Sequence, residues 1–326
     1  MLERGGDIHA EMNRRIIPYA VNLELTSACN LECIHCYRVR AVGPEMDCNE
    51  YIRMFDELAG LGAMELTFTG GEPLIRPDFH SLLRYAVERR GFSVKIFSNL
   101  TLLDRAAADT VAALPVRQVE TTLLGPDAAL HDRLTRRNGS FDATIRGIRL
   151  LSGRSVRVAA KTVLMRENYG TLDDMYRLAS QLGIPFRHDD GIFVESGGGR
   201  GPLAHRIPER EAARLRKTTS RRPPPGKFLP CNAGRSVMNI GPDGSVYPCG
   251  PFPVPAGSLR ERPLGEIWRD SSLMIRVRSL ADAEYRVCDR CRYLARCSGC
   301  MAMGWGLSAG RMYPCRLVRR KLRMFL

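Results

Sequence analysis

No stretch of this sequence approaches the about eighteen consecutive apolar residues that a membrane-spanning helix needs. The opening MLERGGDIHAEMNRR is too charged to hold the apolar region of a signal sequence, so a soluble cytoplasmic chain is expected. Aromatic residues are sparse at 7%, and acids are outnumbered, 35 against 49 Lys and Arg. The formal charge of +14 implies attraction to acidic partners but does not choose among nucleic acid, an acidic peptide and a membrane surface. No internal repeat is present. Neither length nor cysteine is lacking: 326 residues at 44% hydrophobic can bury one large core and a smaller second one. The eleven cysteines fall mainly into two knots in a large chain without a leader, a distribution that fits metal ligation better than a disulfide framework.

The first knot is SACNLECIHCY, which spaces Cys29, Cys33 and Cys36 as C-x3-C-x2-C. Three thiolates so close in sequence can converge on one soft metal centre. A cubic iron–sulfur cluster normally takes four cysteines, so this triplet leaves one iron open to a substrate or cofactor. Zinc sites usually pair C-x2-C with a second such pair or with His, and the tight triplet fits them poorly.

Alternation of apolar and polar residues predicts a strand over Ala20 to Thr26, whose end delivers the cysteines into a loop. Apolar positions at helical spacing follow from Asn49 to Leu61, then a strand in MELTFTGGEPL. The rhythm continues with a helix near Asp78 to Glu88, a strand Ser93 to Ser98, a helix Asp104 to Ala113 and a strand Gln118 to Leu123. A helix Phe141 to Leu151, a strand Val156 to Leu164, a helix Leu172 to Leu182 and a strand near Pro185 to Val194 complete it. Six strands alternating with helices predict an α/β fold with a parallel sheet and right-handed crossovers.

Residues 1–18 are short and polar, residues 19–195 form the repeating βα unit, and residues 196–230 carry Gly- and Pro-rich, strongly basic segments with a short helix. Residues 231–326 form a second, cysteine-rich domain. Within it, Pro242-Asp243-Gly244 marks a hairpin turn between strands Val237 to Ile240 and Ser245 to Tyr247. A basic helix is expected after Cys315, and Cys48 reads as a free thiol at a helix start.

The cysteine triplet, followed one strand later by Gly70-Gly71-Glu72-Pro73, resembles the signature of the radical S-adenosylmethionine (SAM) superfamily. The resemblance implies an open six-stranded (β/α)6 partial TIM barrel and a [4Fe-4S] cluster whose open iron binds SAM. It also implies reductive cleavage of SAM to a 5′-deoxyadenosyl radical. By the same resemblance Gly70, Gly71, Glu72 and Pro73 bind the SAM amino group, with Glu72 accepting from the ammonium. Ser98, Asn99 and Asn168 lie near its methionine or ribose, and His35 lies against the adenine. Asp189 and Asp190, which close the sixth strand beside Arg187 and His188, are candidate proton acceptors or a substrate face.

The second knot reads Cys231, Gly244, Cys249, then Cys288, Cys291, Cys297 and Cys300, then Cys315. It resembles the SPASM extension of radical SAM enzymes, which implies two auxiliary iron–sulfur clusters, expected as [4Fe-4S]. Cys231, Cys249 and Cys300 would hold the first, and Cys288, Cys291, Cys297 and Cys315 the second. The resemblance is closest to maturases of ribosomally made peptides. It implies oxidative closure of a thioether or carbon–carbon link on a precursor peptide, an electron donor such as flavodoxin or ferredoxin, and a separate leader-binding protein. Alternatives are a small molecule in cofactor or natural-product assembly, and nucleic acid, favoured only by the charge. Sulfatase maturases carry an Asp after the cysteine matching Cys249; here that residue is Gly250.

Overall fold

The computed structural model describes residues 8–38, 43–196, 198–208, 210–211, 231–284, 300 and 302. A short helix α1 (Ile8–Arg15) precedes six strands of one parallel sheet: β1 (Ala20–Thr26), β2 (Glu65–Gly70), β3 (Ser93–Phe97), β4 (Gln118–Thr122), β5 (Val158–Val163) and β6 (Phe186–Asp189). The crossovers carry α2 (Cys48–Gly60), α3 (Phe79–Arg84), α4 (Arg105–Ala112), α5 (Ala128–Thr135), α6 (Ser140–Ser152) and α7 (Leu172–Gln181). The six strands and their helices form the expected α/β partial barrel.

The period-2 pattern assigns the two faces of the sheet. Val21, Leu23 and Leu25 of β1, Leu66 and Phe68 of β2, and Val94 and Ile96 of β3 are buried against the helices, where Tyr51, Phe55, Leu58, Phe79 and Leu82 meet them. Each large apolar side chain so buried contributes roughly 1.5–3 kcal/mol. The intervening positions face the concave side and are mostly polar, among them Asn22, Glu24, Thr67, Lys95, Glu120, Lys161 and Arg187. An apolar outer face and a polar inner one are what a sheet shows when it buries one side and offers the other to a ligand.

The expected hairpin forms at β7 (Val237–Ile240) and β8 (Ser245–Tyr247), with Gly244 at φ +84° in its turn, and β9 (Gly257–Ser258) adds to its far edge. The sequence gives no hint of where this hairpin docks. β7 pairs parallel with β1, Ala20 opposite Val237 through Leu23 opposite Ile240, so the sheet runs β6-β5-β4-β3-β2-β1-β7-β8-β9. Met238, Ile240 and Val246 join the barrel's own core, as do Leu264, Ile267 and Trp268 of α8 (Leu264–Asp270) and Met274 of α9 (Ser272–Glu284). The Trp268 indole N–H donates to the Ile16 carbonyl at 3.0 Å, tying the C-terminal helices to the N-terminal segment. Among the described residues, no helix is long and apolar enough to cross a membrane.

The residues before Pro18, expected only as a polar lead, form α1, whose Asn13 is buried against Asn232 and Arg235 beside Cys231. The sixth strand ends at Asp189, where Asp189 Oδ1 accepts from the Gly191 N–H at 2.7 Å and turns the chain. After Ser196 the chain makes a 3-10 turn, Gly201–His205, and Arg210 and Glu211 are helical. The basic residues from Arg214 to Lys227 and the tail after Cys315 lie outside the described residues.

Two glycines at the end of β2 are fixed by the fold. Gly70 adopts φ +131°, and a β carbon there would sit 2.4 Å from the Thr26 carbonyl oxygen; at Gly71 it would sit 2.0 Å from that of Ala28. Backbone atoms cannot yield as side-chain tips do. Gly71→Ala is therefore expected to destabilise the protein by about 3 kcal/mol or more, measured by denaturant unfolding, whereas Gly91→Ala, in open space at φ +67°, is expected to cost about 1 kcal/mol.

Candidate active site

The loop that follows β1 carries Cys29, Cys33 and Cys36 and is clamped from three sides. The Gly71 and Glu72 N–H groups donate to the Thr26 and Ala28 carbonyls at 2.7 and 2.9 Å. Glu45 accepts from Thr26 Oγ1, Ser27 Oγ and the Ser27 N–H. The Glu32 and Ile34 N–H groups donate to Thr135 and Leu134, the otherwise open carbonyls at the C-terminus of α5. That helix is absent from the sequence expectations. Its signals are short but present: Asp127, whose side chain caps Leu130 N–H at 2.8 Å, and Leu130 and Leu134 one turn apart.

Burial pushes all three thiols up, Cys33 to about 12, with neighbouring thiols adding to the rise at Cys29 and Cys33 and Glu195 to that at Cys36. Cys36 reaches the surface in the mouth, yet protein encloses it on most sides. Among the described residues no group of three His, Cys, Asp or Glu side chains could hold a single metal ion. The thiols are nevertheless near enough to perturb one another. Such a donor set ionises only against strong positive charge, which fits the cluster that the loop's spacing implies.

Glu72 departs from its expected role. Its side chain is 1% exposed and accepts from the Leu74 N–H at 3.1 Å, the Ser98 hydroxyl at 2.7 Å and the Asn99 N–H at 2.7 Å. Burial outweighs these donors and pushes its carboxyl up to about 7. A carboxylate turned inward on three protein donors is not placed to receive an ammonium; half-buried Gly70 and Gly71 are what this turn presents. Pro73 is buried with Glu72. Ser98 and Asn99 are therefore brought to Glu72. Asn99 Nδ2 also donates to Asn30 Oδ1 at 2.9 Å and approaches Cys29 Sγ at 3.9 Å, joining the β3 turn to the cysteine loop.

Asn168 is fully buried, and its amide bridges strand ends, donating to the Leu124 and Val163 carbonyls at 3.1 Å and accepting from the Met165 N–H at 2.7 Å. Those bonds occupy the amide, so its place is structural rather than beside a ligand. His35 lies in the mouth with Nδ1 buried and without a protein partner. Enclosure, with His205 and Lys161 nearby, pushes its imidazole down to about 4, so it is neutral at physiological pH.

Strand alternation separates the three polar residues of β6, and Asp190 follows them. Arg187 donates to both oxygens of Glu120, at 2.8 and 3.1 Å, and Lys161 meets the same carboxylate at 2.9 Å while lying over the Phe97 ring. His188 turns to the helix side and bonds the Tyr176 hydroxyl at 3.0 Å. Asp189 is exposed on the inner face, one strand position from Val163. Asp190 is half-buried beyond the strand end.

The second thiol set draws together residues far apart in sequence. Cys231, Cys249 and Cys300 pack around Ala233, Phe252, Val277 and Ala302, and both other thiols help to raise that of Cys249, after its burial. Cys288, Cys291, Cys297 and Cys315 lie outside the described residues. Cys48 opens α2 as a free thiol packed against the barrel core. Tyr37, next to Cys36, connects the two sets. Burial raises its phenol well above the usual range, with Cys36 and Cys249 adding to the effect.

Residues 23–179 match the model of the radical SAM superfamily, and residues 231–292 match that of the SPASM iron–sulfur cluster-binding domain. The chain belongs to the radical SAM superfamily and carries a SPASM domain. It is 26% identical over 327 residues to the AdoMet-dependent heme synthase of Methanosarcina barkeri (strain Fusaro / DSM 804), covering 88% of this chain and 92% of the relative. It is 29% identical over 313 residues to the mycofactocin maturase MftC of Mycobacterium tuberculosis (strain ATCC 25618 / H37Rv), covering 87% and 78%. The fold is similar to that of Streptococcus suis SuiB bound to precursor peptide SuiA, with a TM-score of 0.71 at 16% identity, covering 90% of this chain and 75% of that one.

Two outcomes follow for the site. Glu72→Gln places an amide group against the Asn99 N–H and is expected to cost ~1–3 kcal/mol in denaturant unfolding. Glu120, held below its ordinary pKa of 4.5 by Arg187 and Lys161 against its burial, contributes stability that is complete above that value and lost as pH falls through the lowered one. Thermal melting from neutral pH down to about pH 3 is expected to show a shallower acid limb in Glu120→Gln.

Proposed function

We propose that the protein oxidatively modifies a ribosomally made peptide, closing a thioether or carbon–carbon link. The observation that supports this most is that Cys36 and Cys249, one from each thiol set, both lie near enough to Tyr37 to add to the rise that burial gives its phenol. Cys29, Cys33 and Cys36 would hold a [4Fe-4S] cluster. Cys231, Cys249 and Cys300 would hold one auxiliary cluster, and Cys288, Cys291, Cys297 and Cys315 a second. When bound, these groups and SAM supply a hydrogen-abstracting 5′-deoxyadenosyl radical and one-electron exchange nearby.

The chain's own residues do the positioning. The Gly70–Gly71 backbone lines the mouth, and Asn99 and Asn30 hold the cysteine loop at a fixed angle to β3. Lys161, pinned to Glu120 and Phe97, gives the inner face a fixed charge. Asp189, exposed at the end of β6, would take a substrate proton, with Asp190 as the alternative acceptor. The basic surface suits an acidic leader segment, recognised with a separate leader-binding protein, and a flavodoxin or ferredoxin suits the reductant. A relative named PqqA peptide cyclase, 27% identical over 315 residues, favours a peptide. A second reading, a small molecule of cofactor assembly, is favoured by the heme synthase relatives, whose length the chain nearly spans.

Anaerobic reconstitution with SAM and dithionite is expected to yield 5′-deoxyadenosine, and Cys33→Ala to abolish it. With the precursor peptide the product is expected to lose two hydrogens by mass spectrometry. Turnover on a porphyrin-type or other small molecule, with none on any peptide, would transfer the assignment to the second reading.

A further inference from the structure

Helix α5 is the wall behind the cysteine loop. Its Leu130 and Leu134 are buried together, and Cys33 and Ile34 pack against them. The Glu32 and Ile34 N–H groups, on either side of Cys33 in the chain, donate to the Thr135 and Leu134 carbonyls at 3.0 and 3.1 Å. A helix with its side chains is about 10–12 Å across, so the solvent face of α5 lies roughly one helix width from a thiol that would hold the first cluster.

That outer face is basic. Helices α5 and α6 and the turn between them carry Arg133, Arg136, Arg137, Arg146 and Arg149 against two acids, Asp132 and Asp142. Asp132 is turned to the protein, accepting from the Gly139 and Phe141 N–H groups and the Ser140 hydroxyl at 2.6–2.8 Å. The bond to Thr135 brings the exposed Glu32 alongside, which leaves five arginines against three acids. Arg133, Arg136 and Arg137 are exposed, and among the described residues none of the three forms an ion pair. A cation in the last turn of a helix answers its open carbonyls, which accounts for Arg133. It does not account for Arg136, which ends α5 at φ +56° and ψ +32°, a left-handed conformation that Gly or Asn holds with less strain. An arginine stands where the backbone favours a small residue.

We propose that Arg133, Arg136 and Arg137 form the docking face for the one-electron donor, an acidic carrier protein of the flavodoxin or ferredoxin type, which delivers its electron through the wall that α5 makes. The mouth has to admit SAM and substrate, and a carrier seated on the outside of α5 displaces neither. One electron leaves the carrier's flavin hydroquinone or iron–sulfur centre and enters the cluster held by Cys29, Cys33 and Cys36; no bond changes in this chain and no proton moves. Electron-transfer encounters are small and transient, and opposite charges speed them by steering the approach, so three unpaired arginines are a large share of such a contact. The inference deepens the reductant assignment made above and rests on the cluster reading of the cysteine triplet, not on the choice of substrate.

The reconstituted full-length protein tests this with a flavodoxin of net negative charge, and with dithionite in parallel. Calorimetric binding of oxidised flavodoxin and stopped-flow bleaching of the cluster's visible absorbance by reduced flavodoxin are the two readouts. Both are expected to weaken about tenfold as NaCl rises from about 50 to about 500 mM. Combining Arg133→Gln, Arg136→Asn and Arg137→Gln, with Asn chosen to suit the left-handed position, is expected to weaken both about tenfold or more. Dithionite is expected to bleach this variant at the wild-type rate and to support 5′-deoxyadenosine formation. Combining Arg133→Lys, Arg136→Lys and Arg137→Lys is expected to keep the flavodoxin rate. An unchanged flavodoxin rate in the neutral variant, an equal loss in the lysine variant, or an equal loss with dithionite would each overturn the face. So would a neutral variant that flavodoxin reduces normally but that no longer binds an acidic peptide, which would hand these arginines to a leader segment. A wild-type protein that dithionite cannot bleach would sink the cluster reading and the face with it, and none of these outcomes depends on peptide turnover.

Discussion

One close backbone approach governs the rest. At the end of β2, Gly70 and Gly71 lie against the carbonyls of Thr26 and Ala28, with separations that no β carbon tolerates. That contact fixes where β1 stops and the cysteine loop begins, and it brings the Glu72 N–H onto Ala28. Glu72 then turns inward and gathers Ser98 and Asn99, and Asn99 reaches back to Asn30. A single steric requirement thereby aligns the ends of three neighbouring strands. Holding three thiols in a preset arrangement needs this rigidity, because a loop free to move would lose ordering entropy each time a ligand was bound.

Much of the barrel is readable from local pattern. β1, β7 and β8 fall where alternation and the Pro-Asp-Gly turn put them, and the boundaries of α2, α4 and α6 differ from the apolar periodicity by a residue or so. Period and turn chemistry are properties of neighbouring residues, so a sequence carries them openly. The pairing of β7 with β1 joins residues more than two hundred positions apart, and edge-to-edge hydrogen bonds between backbones leave no mark in side-chain identity. α5 escaped for a different reason: eight residues with only Leu130 and Leu134 as a clear apolar pair give a periodicity too short to register.

The candidate site was readable in its residue types more than in their roles. The thiol spacing pointed to the loop, and Cys231, Cys249 and Cys300 do meet in one apolar nest. The Gly-Gly-Glu turn suggested an approach to a ligand, whereas its glycines answer to the cysteine loop and its carboxylate to Ser98 and Asn99. Asn168 shows the same limit: a polar residue at a strand end is equally suited to bonding a ligand or three backbone groups, and only burial separates the two.

With parallel neighbours on both sides, β1 acts as a ruler between the two halves of the protein. Its last residues feed one thiol set, and the strand bonded to its other edge leads through the hairpin to Cys249. Sliding β7 by a single residue would displace the second set by about 3.3 Å and turn Asn239 away from Glu24. Insertions in the hairpin's outer edge or in the helices leave that spacing untouched; a length change within β1 does not. Divergence among such enzymes should therefore collect at the sheet's two ends, while the gap between the electron-handling centres is inherited as a count of backbone hydrogen bonds.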